Sequence, residues 1–163
     1  MNLDNVHLVL VQTSEPQNLG AVARVMRNCE LSRLTLVEPR TDDLVTARRV
    51  AVHAEELLAA PRTVSTLAEA LSDAVWIVGT TSRTVPGIPR LTPREVAARA
   101  AELSEGGEVA LVFGGESSGL TNDHALSCHA LSCIPAGPIQ PSYNLAQAVL
   151  VYAYELHEAA RQG

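Results

Sequence analysis

Lysine is missing from this chain. All twelve basic residues are arginine, set against eighteen acidic ones, and the formal net charge is −6. That sign excludes a protein held to nucleic acid by bulk electrostatics. The arginines are unevenly placed, however: Arg24, Arg27, Arg33, Arg40, Arg48, Arg49 and Arg62 all lie in the first 62 residues, which leaves that part only slightly acidic. A guanidinium fork suits phosphate recognition, but an all-arginine set reads first as coding bias. Aromatic residues make up only 3% of the chain against 47% hydrophobic residues, so the core must be packed from Ala, Val and Leu. No apolar run approaches the ~18 residues of a membrane-spanning helix. The first residues show no basic stretch followed by an apolar core, so no signal peptide is expected. Three cysteines, an odd number at irregular spacing, argue for reduced thiols and a cytoplasmic location. With no repeat, linker or low-complexity segment, residues 1–163 read as one domain.

What is present alternates between strand and helix. His7 to Gln12, Leu34 to Val37, Ala74 to Gly79, Val109 to Phe113 and Leu131 to Ile134 are short apolar runs that read as buried strands. Between them lie helical patterns. Leu19, Val22, Val25 and Met26 recur at i, i+3, i+6 and i+7, with Asn18 as a candidate N-cap. Leu44–His53 and Glu55–Ala59 read as short helices. Thr66 with Glu69, and Thr92-Pro93-Arg94-Glu95, have capping-box spacing. Ser142 stands where an N-cap should precede the helix of Leu145, Val149, Tyr152 and Leu156. This alternation predicts an α/β fold, a mainly parallel sheet with helices on both faces.

Four stretches carry the chemistry. In Asn18-Leu-Gly20-Ala-Val-Ala-Arg24, small residues near a helix start allow close approach of another segment, and Arg24 projects further along. Alone, this is as well explained by close packing beside a solvated arginine. Gly79-Thr-Thr-Ser-Arg83 leaves a strand end with backbone groups that could bind a nucleoside, though ordinary loop exits look the same. Phe113-Gly-Gly-Glu116-Ser-Ser-Gly119-Leu120 follows a buried strand and is neither a Walker A loop nor a dinucleotide fingerprint. Glycines there let backbone approach a ligand, and a carboxylate held in the turn can orient its neighbours. The fourth stretch is the Pro/Gly loop Pro135 to Pro141 leading into Ser142-Tyr-Asn144-Leu-Ala. His124, Cys128, His129 and Cys133 suggest zinc, but only His124 and Cys128 share a helix face, so buried cysteines and a helix-end histidine are the better reading and no metal is expected. Ser117 and Ser118 lack a His/Asp relay, which argues against a hydrolase nucleophile.

Together, in this order and spacing, these four motifs resemble those of the SpoU/TrmH class of RNA 2′-O-ribose methyltransferases in the SPOUT superfamily. Within that class the likeness is to the TrmJ-type tRNA Cm/Um enzymes, and it runs from about Val6 to Glu155. The resemblance implies a fold that pattern alone would discard, because threaded chains are nearly absent from proteins: a deep C-terminal trefoil knot that holds S-adenosylmethionine. It implies a homodimer whose sites are completed by both subunits. The stripes Leu19, Val22, Val25, Met26 and Leu145, Val149, Tyr152, Leu156 are the expected dimer faces.

By the same resemblance Thr80, Thr81, Ser82, Gly114, Ile134, Pro141, Ser142 and Tyr143 line the cofactor pocket. Arg24 is the principal catalytic residue, with Asn18, Glu116, Ser142 and Asn144 completing the set. Arginine is a poor base, so Arg24 is expected to orient the ribose hydroxyl and a neighbouring phosphate. Arg27, Arg83 and Arg90 are the expected RNA contacts. The implied activity is methyl transfer to a ribose 2′-hydroxyl of tRNA, of the anticodon-loop type, without a membrane partner. A non-catalytic RNA-binding module and an rRNA substrate are the rival readings. Gly115 departs from relatives that often carry arginine or another polar residue there, and Pro141 and Tyr143 replace the commoner Ser and Leu. The C-terminal extension with which TrmJ-type enzymes help grip tRNA is absent from these 163 residues, which leaves substrate identity the least determined expectation.

Overall fold

The computed structural model describes residues Met1–Gly163. Seven strands form one sheet: β1 (Val6–Val11), β2 (Arg33–Val37), β3 (Arg62–Val64), β4 (Ala74–Thr80), β5 (Arg90–Leu91), β6 (Glu108–Phe113) and β7 (Ala130–Ser132). Their spatial order is β3-β2-β1-β6-β4-β7-β5, and every neighbouring pair is parallel. β1 and β6 sit centrally and are buried at every position, as expected of strands covered on both faces.

Alternation along the strands sorts the core into two layers. Leu8, Leu10, Leu34, Leu36, Leu111 and Phe113 face α1 (Pro16–Asn28), α2 (Leu44–Val50), α4 (Pro93–Leu103) and α6 (Leu145–Gln162). Val9, Val11, Val37, Ala110 and Val112 face the short helices α3 (Leu67–Ala70) and α5 (Asn122–Leu126). Gly20 brings α1 against α2: a Cβ there would lie 2.2 Å from the Ala47 carbonyl oxygen.

Several local expectations need correction. β3 and β5 were not expected; three and two residues long at the two sheet edges, they are too short and exposed to carry a periodic signal. Glu55–Leu58 is a 3-10 turn and not a helix. Asn18 is not the N-cap of α1. The helix begins two residues earlier at Pro16, whose ring suits the first turn, with Glu15 in the cap position. Ser142 is likewise not the cap of α6; Asn144 is, its Oδ1 accepting from the Gln147 N–H at 3.2 Å. The two apolar stripes expected at a dimer face are largely spent inside the monomer. Leu19, Val22, Met26, Leu145, Val149, Tyr152 and Leu156 are all buried in its own core, and Val25 alone is half-buried. The exposed apolar side chains of α6 are instead Leu150 and Tyr154. The Thr92–Glu95 capping box forms as expected, each side chain bonded to the other residue's backbone.

Candidate active site

Parallel strands leave their carboxyl ends at one rim of the sheet, where open α/β proteins bind ligands. A cavity of about 820 Å³ lies there, at the ends of β4, β6 and β7 and beside the start of α6. Thr80, Thr81 and Ser82 form one wall; Gly114 and Glu116 form a second; Ile134, Pro141, Ser142 and Tyr143 form a third with Asn144. Each residue expected at the pocket is therefore brought to one place, from three segments separated along the chain. Gly114 is required by backbone crowding, since a Cβ would lie 2.2 Å from the Gly119 carbonyl carbon. Gly115 has a comparable reason. A Cβ there would meet the Gln12 carbonyl oxygen at 2.6 Å, so this chain has no room for a side chain at that position.

One polar relay ties the walls together. Asn144 Nδ2 donates to Asn18 Oδ1 at 2.9 Å, and Asn18 Nδ2 donates to Glu116 Oε2 at 3.0 Å. The Glu116 carboxylate also accepts the backbone N–H groups of Ser14 (3.0 Å) and Glu15 (3.2 Å). Glu116 thus satisfies the chain entering α1 from a loop about 100 residues away, which explains why Asn18 is free for a side-chain role. Partial burial opposes the Glu116 charge, but hydrogen bonds from Asn18, Ser14 and Glu15 outweigh it and hold the carboxyl below its ordinary value. With its oxygens so engaged, Glu116 is an ionised organiser and a poor proton acceptor.

Some lining residues were invisible to sequence reasoning. Tyr152, read as core, reaches the cavity, where its hydroxyl is 2.8 Å from Ser132 Oγ. Its ring packs edge-on against Phe113 at 5.7 Å, and burial pushes its pKa up to about 12. The hydroxyl on an otherwise apolar helix face was the only available signal. Glu15 also lines the cavity, and the only charged lining side chains are Glu15 and Glu116. The charge of the lining therefore favours a cationic ligand over an anionic one.

The arginines do not gather at the cavity. Arg24 is exposed on α1, does not line the cavity of its own chain, and its side chain makes no hydrogen bond or ion pair. Arg27 is ion-paired with Glu56 of the 3-10 turn packed beside α1. Arg83 and Arg90 lie behind the cavity wall and donate to backbone carbonyls. The four suspected metal ligands are occupied otherwise. His124 forms a capping box with Thr121, His129 Nδ1 accepts from the Ile77 N–H, the Cys128 thiol donates to the His124 carbonyl, and Cys133 Sγ accepts from Arg90 Nη2. Burial raises the Cys128 pKa to about 11, which keeps it a neutral thiol.

Comparisons with known proteins converge on one family. The model of the SpoU rRNA methylase family matches residues 5–154. The chain is 44% identical over 159 residues to tRNA (cytidine/uridine-2′-O-)-methyltransferase TrmJ of Pectobacterium atrosepticum, covering 96% of this chain and 66% of that enzyme. Among solved structures, TrmJ from Z. mobilis superposes with a TM-score of 0.85 at 33% identity, over 94% of this chain and 69% of the other. A probable methylase family protein from Haemophilus influenzae gives a TM-score of 0.90 at 36% identity, over 97% and 67%. The chain spans 62–66% of the length of the curated relatives it matches.

Proposed function

Since this chain belongs to the SpoU rRNA methylase family, we propose that it binds S-adenosylmethionine in the cavity at the ends of β4, β6 and β7 and methylates a ribose 2′-hydroxyl of tRNA. The observation that carries this reading is the cavity itself. Its volume suits a nucleoside-sized ligand, its walls mix apolar and small polar residues, and its only charges are two carboxylates. A sulfonium cofactor is a cation, and these residues fit it. S-adenosylmethionine supplies an activated methyl group on that sulfonium. Thr80, Thr81, Ser82, Gly114, Ile134, Pro141, Ser142 and Tyr143 would hold it. Asn18, Glu116 and Asn144 would keep the walls at their spacing, and Ser142, whose Oγ donates to Gln140 at 3.2 Å, would fix the loop before α6. The trefoil knot implied for this fold belongs to the same proposal, with the loops after β6 and β7 and the start of α6 as its walls.

Arg24 would orient the attacking hydroxyl and an adjacent phosphate. Its place outside the cavity of its own chain supports a homodimer in which each cavity receives Arg24 from the second copy. Leu150 and Tyr154, exposed on α6, supply apolar surface for such a pairing. Arg27, beside Arg24 on the exposed side of α1, would contact the RNA backbone. No helix of this chain is long and apolar enough to cross a membrane, and a cytoplasmic location is part of this reading.

The family's description refers to rRNA, whereas the Pectobacterium relative is a tRNA enzyme. Methyl transfer from labelled S-adenosylmethionine to tRNA and to rRNA, followed by mapping of the modified nucleotide, decides between them. Label in rRNA alone overturns the tRNA assignment. Cofactor binding without transfer to either RNA would leave a non-catalytic RNA-binding module. Failure of the protein to bind S-adenosylmethionine or S-adenosylhomocysteine overturns the reading entirely.

A further inference from the structure

Arg83 and Arg90 stand side by side at the outer surface of the cavity wall, where an exposed arginine is naturally taken for a phosphate contact. Their donors point inward. Arg90 Nη1 donates to the Arg83 carbonyl at 2.6 Å, and Nη2 donates to the Thr81 carbonyl at 3.4 Å and to Cys133 Sγ at 2.8 Å. Arg83 in turn donates from Nε to the Leu120 carbonyl at 2.8 Å and from Nη1 to Asn122 Oδ1 at 3.2 Å. Thr81 and Cys133 line the cavity, and Leu120 ends the loop whose crowding requires Gly114.

From these contacts we propose that Arg83 and Arg90 are positioning residues for the cofactor cavity and do not grip RNA. Acting in series, they join the three segments that leave β4, β6 and β7. The loop after β4 is held to the loop after β6 through Arg83, and to the exit of β7 through Arg90. Carbonyl groups leaving the end of a strand lose their ladder partners, and a planar guanidinium can satisfy several at once with fixed geometry. A lysine cannot, because its ammonium is a point charge on a flexible stem. β5 is two residues long, and one of them is Arg90, paired in register with Leu131 of β7. That edge strand therefore serves chiefly to set the arginine against the wall. A phosphate could recruit either guanidinium only by drawing it away from acceptors already in place.

The proposal rests on the methyltransferase reading, and its test separates the two. S-adenosylhomocysteine is titrated calorimetrically into the wild type, Arg90→Ala, Arg90→Lys and Arg83→Ala, and fluorescent tRNA is titrated into the same proteins at several salt concentrations. The lysine variant keeps the charge and removes the fork, and it guards against a folding failure of the alanine variants. Expected results are a loss of about tenfold or more in S-adenosylhomocysteine affinity for both Arg90 variants. Their tRNA salt slope should equal that of the wild type. Wild-type cofactor affinity in Arg90→Lys, or a log–log salt slope lower by roughly 0.7 to 0.9 in Arg90→Ala, overturns the proposal. A wild type that binds no S-adenosylhomocysteine overturns the functional reading and this proposal together, and is recognised before any variant is compared.

Discussion

Replacing Glu116 by glutamine tests whether one carboxylate holds the entrance to α1 against the β6 loop. The substitution keeps size and removes one acceptor oxygen. If the remaining oxygen stays on Ser14, the new amide faces the Glu15 N–H and Asn18 Nδ2, and both of these donors lose their acceptor. Hydrogen bonds to a charged group contribute about 1.5–3 kcal/mol each. Glu116 is only partly buried, so solvent recovers part of that, and the expected destabilisation is about 2–3 kcal/mol at pH 7. For a domain of this size that is roughly 5–10 °C in melting temperature. The pH dependence follows from the same contacts. The folded-state pKa of Glu116 is depressed, so its contribution is fully present above the ordinary carboxylate value. It is lost as pH falls through the folded value, where the wild-type side chain becomes neutral as glutamine is. Urea unfolding of both proteins from pH 7 to pH 3 should show their difference closing below about pH 5. A Glu116→Gln variant within about 0.5 kcal/mol of wild type at pH 7 would refute the reasoning, as would a gap that persists unchanged to pH 3.

Other perturbations isolate single contacts. Gly20→Ala would gain about 1 kcal/mol in an open helix, but here its Cβ meets the Ala47 carbonyl; chemical denaturation should show a net loss above ~1 kcal/mol, and a gain would mean that α1 and α2 separate freely. Asn144→Ala removes the α6 cap and the bond to Asn18; a stability loss of about 1–2 kcal/mol and weaker S-adenosylhomocysteine binding are expected by calorimetry. Arg24→Ala should abolish methyl transfer while leaving S-adenosylhomocysteine affinity within about threefold, under ~1 kcal/mol; loss of binding would remove Arg24 from its proposed role. Sedimentation should find a dimer at micromolar concentration, and Leu150→Asp with Tyr154→Asp should shift it to monomer.

How far the site could be read in advance depended on what kind of information each residue carried. Thr80, Gly114, Glu116 and Ser142 were found because motif order is a linear property, and the parallel sheet then brought their strand ends to one rim. Tyr152 was missed because position in an apolar stripe says that a residue is buried, not that it also lines a cavity. Two capping assignments failed for a related reason, while those at Thr66 and Thr92 held. Asn18 and Ser142 have the right chemistry for caps, but Glu116 satisfies the turn before α1 from a distant loop, and Asn144 lies two residues nearer the helix it caps.

By itself the sequence determined the alternation of strand and helix, the burial of both central strands and the family motifs, because hydrophobic period and residue identity act over a few neighbours. It also determined that charge would not hold RNA in bulk, since composition alone sets the balance. Only the tertiary structure decided which acceptors the arginines reach. Arg24, Arg83 and Arg90 are chemically identical in the sequence. One stands free on α1, while the other two are spent on carbonyls of loops drawn together by the sheet. A guanidinium takes whichever acceptors lie within hydrogen-bond distance, and those acceptors exist only once strands far apart in the chain have paired.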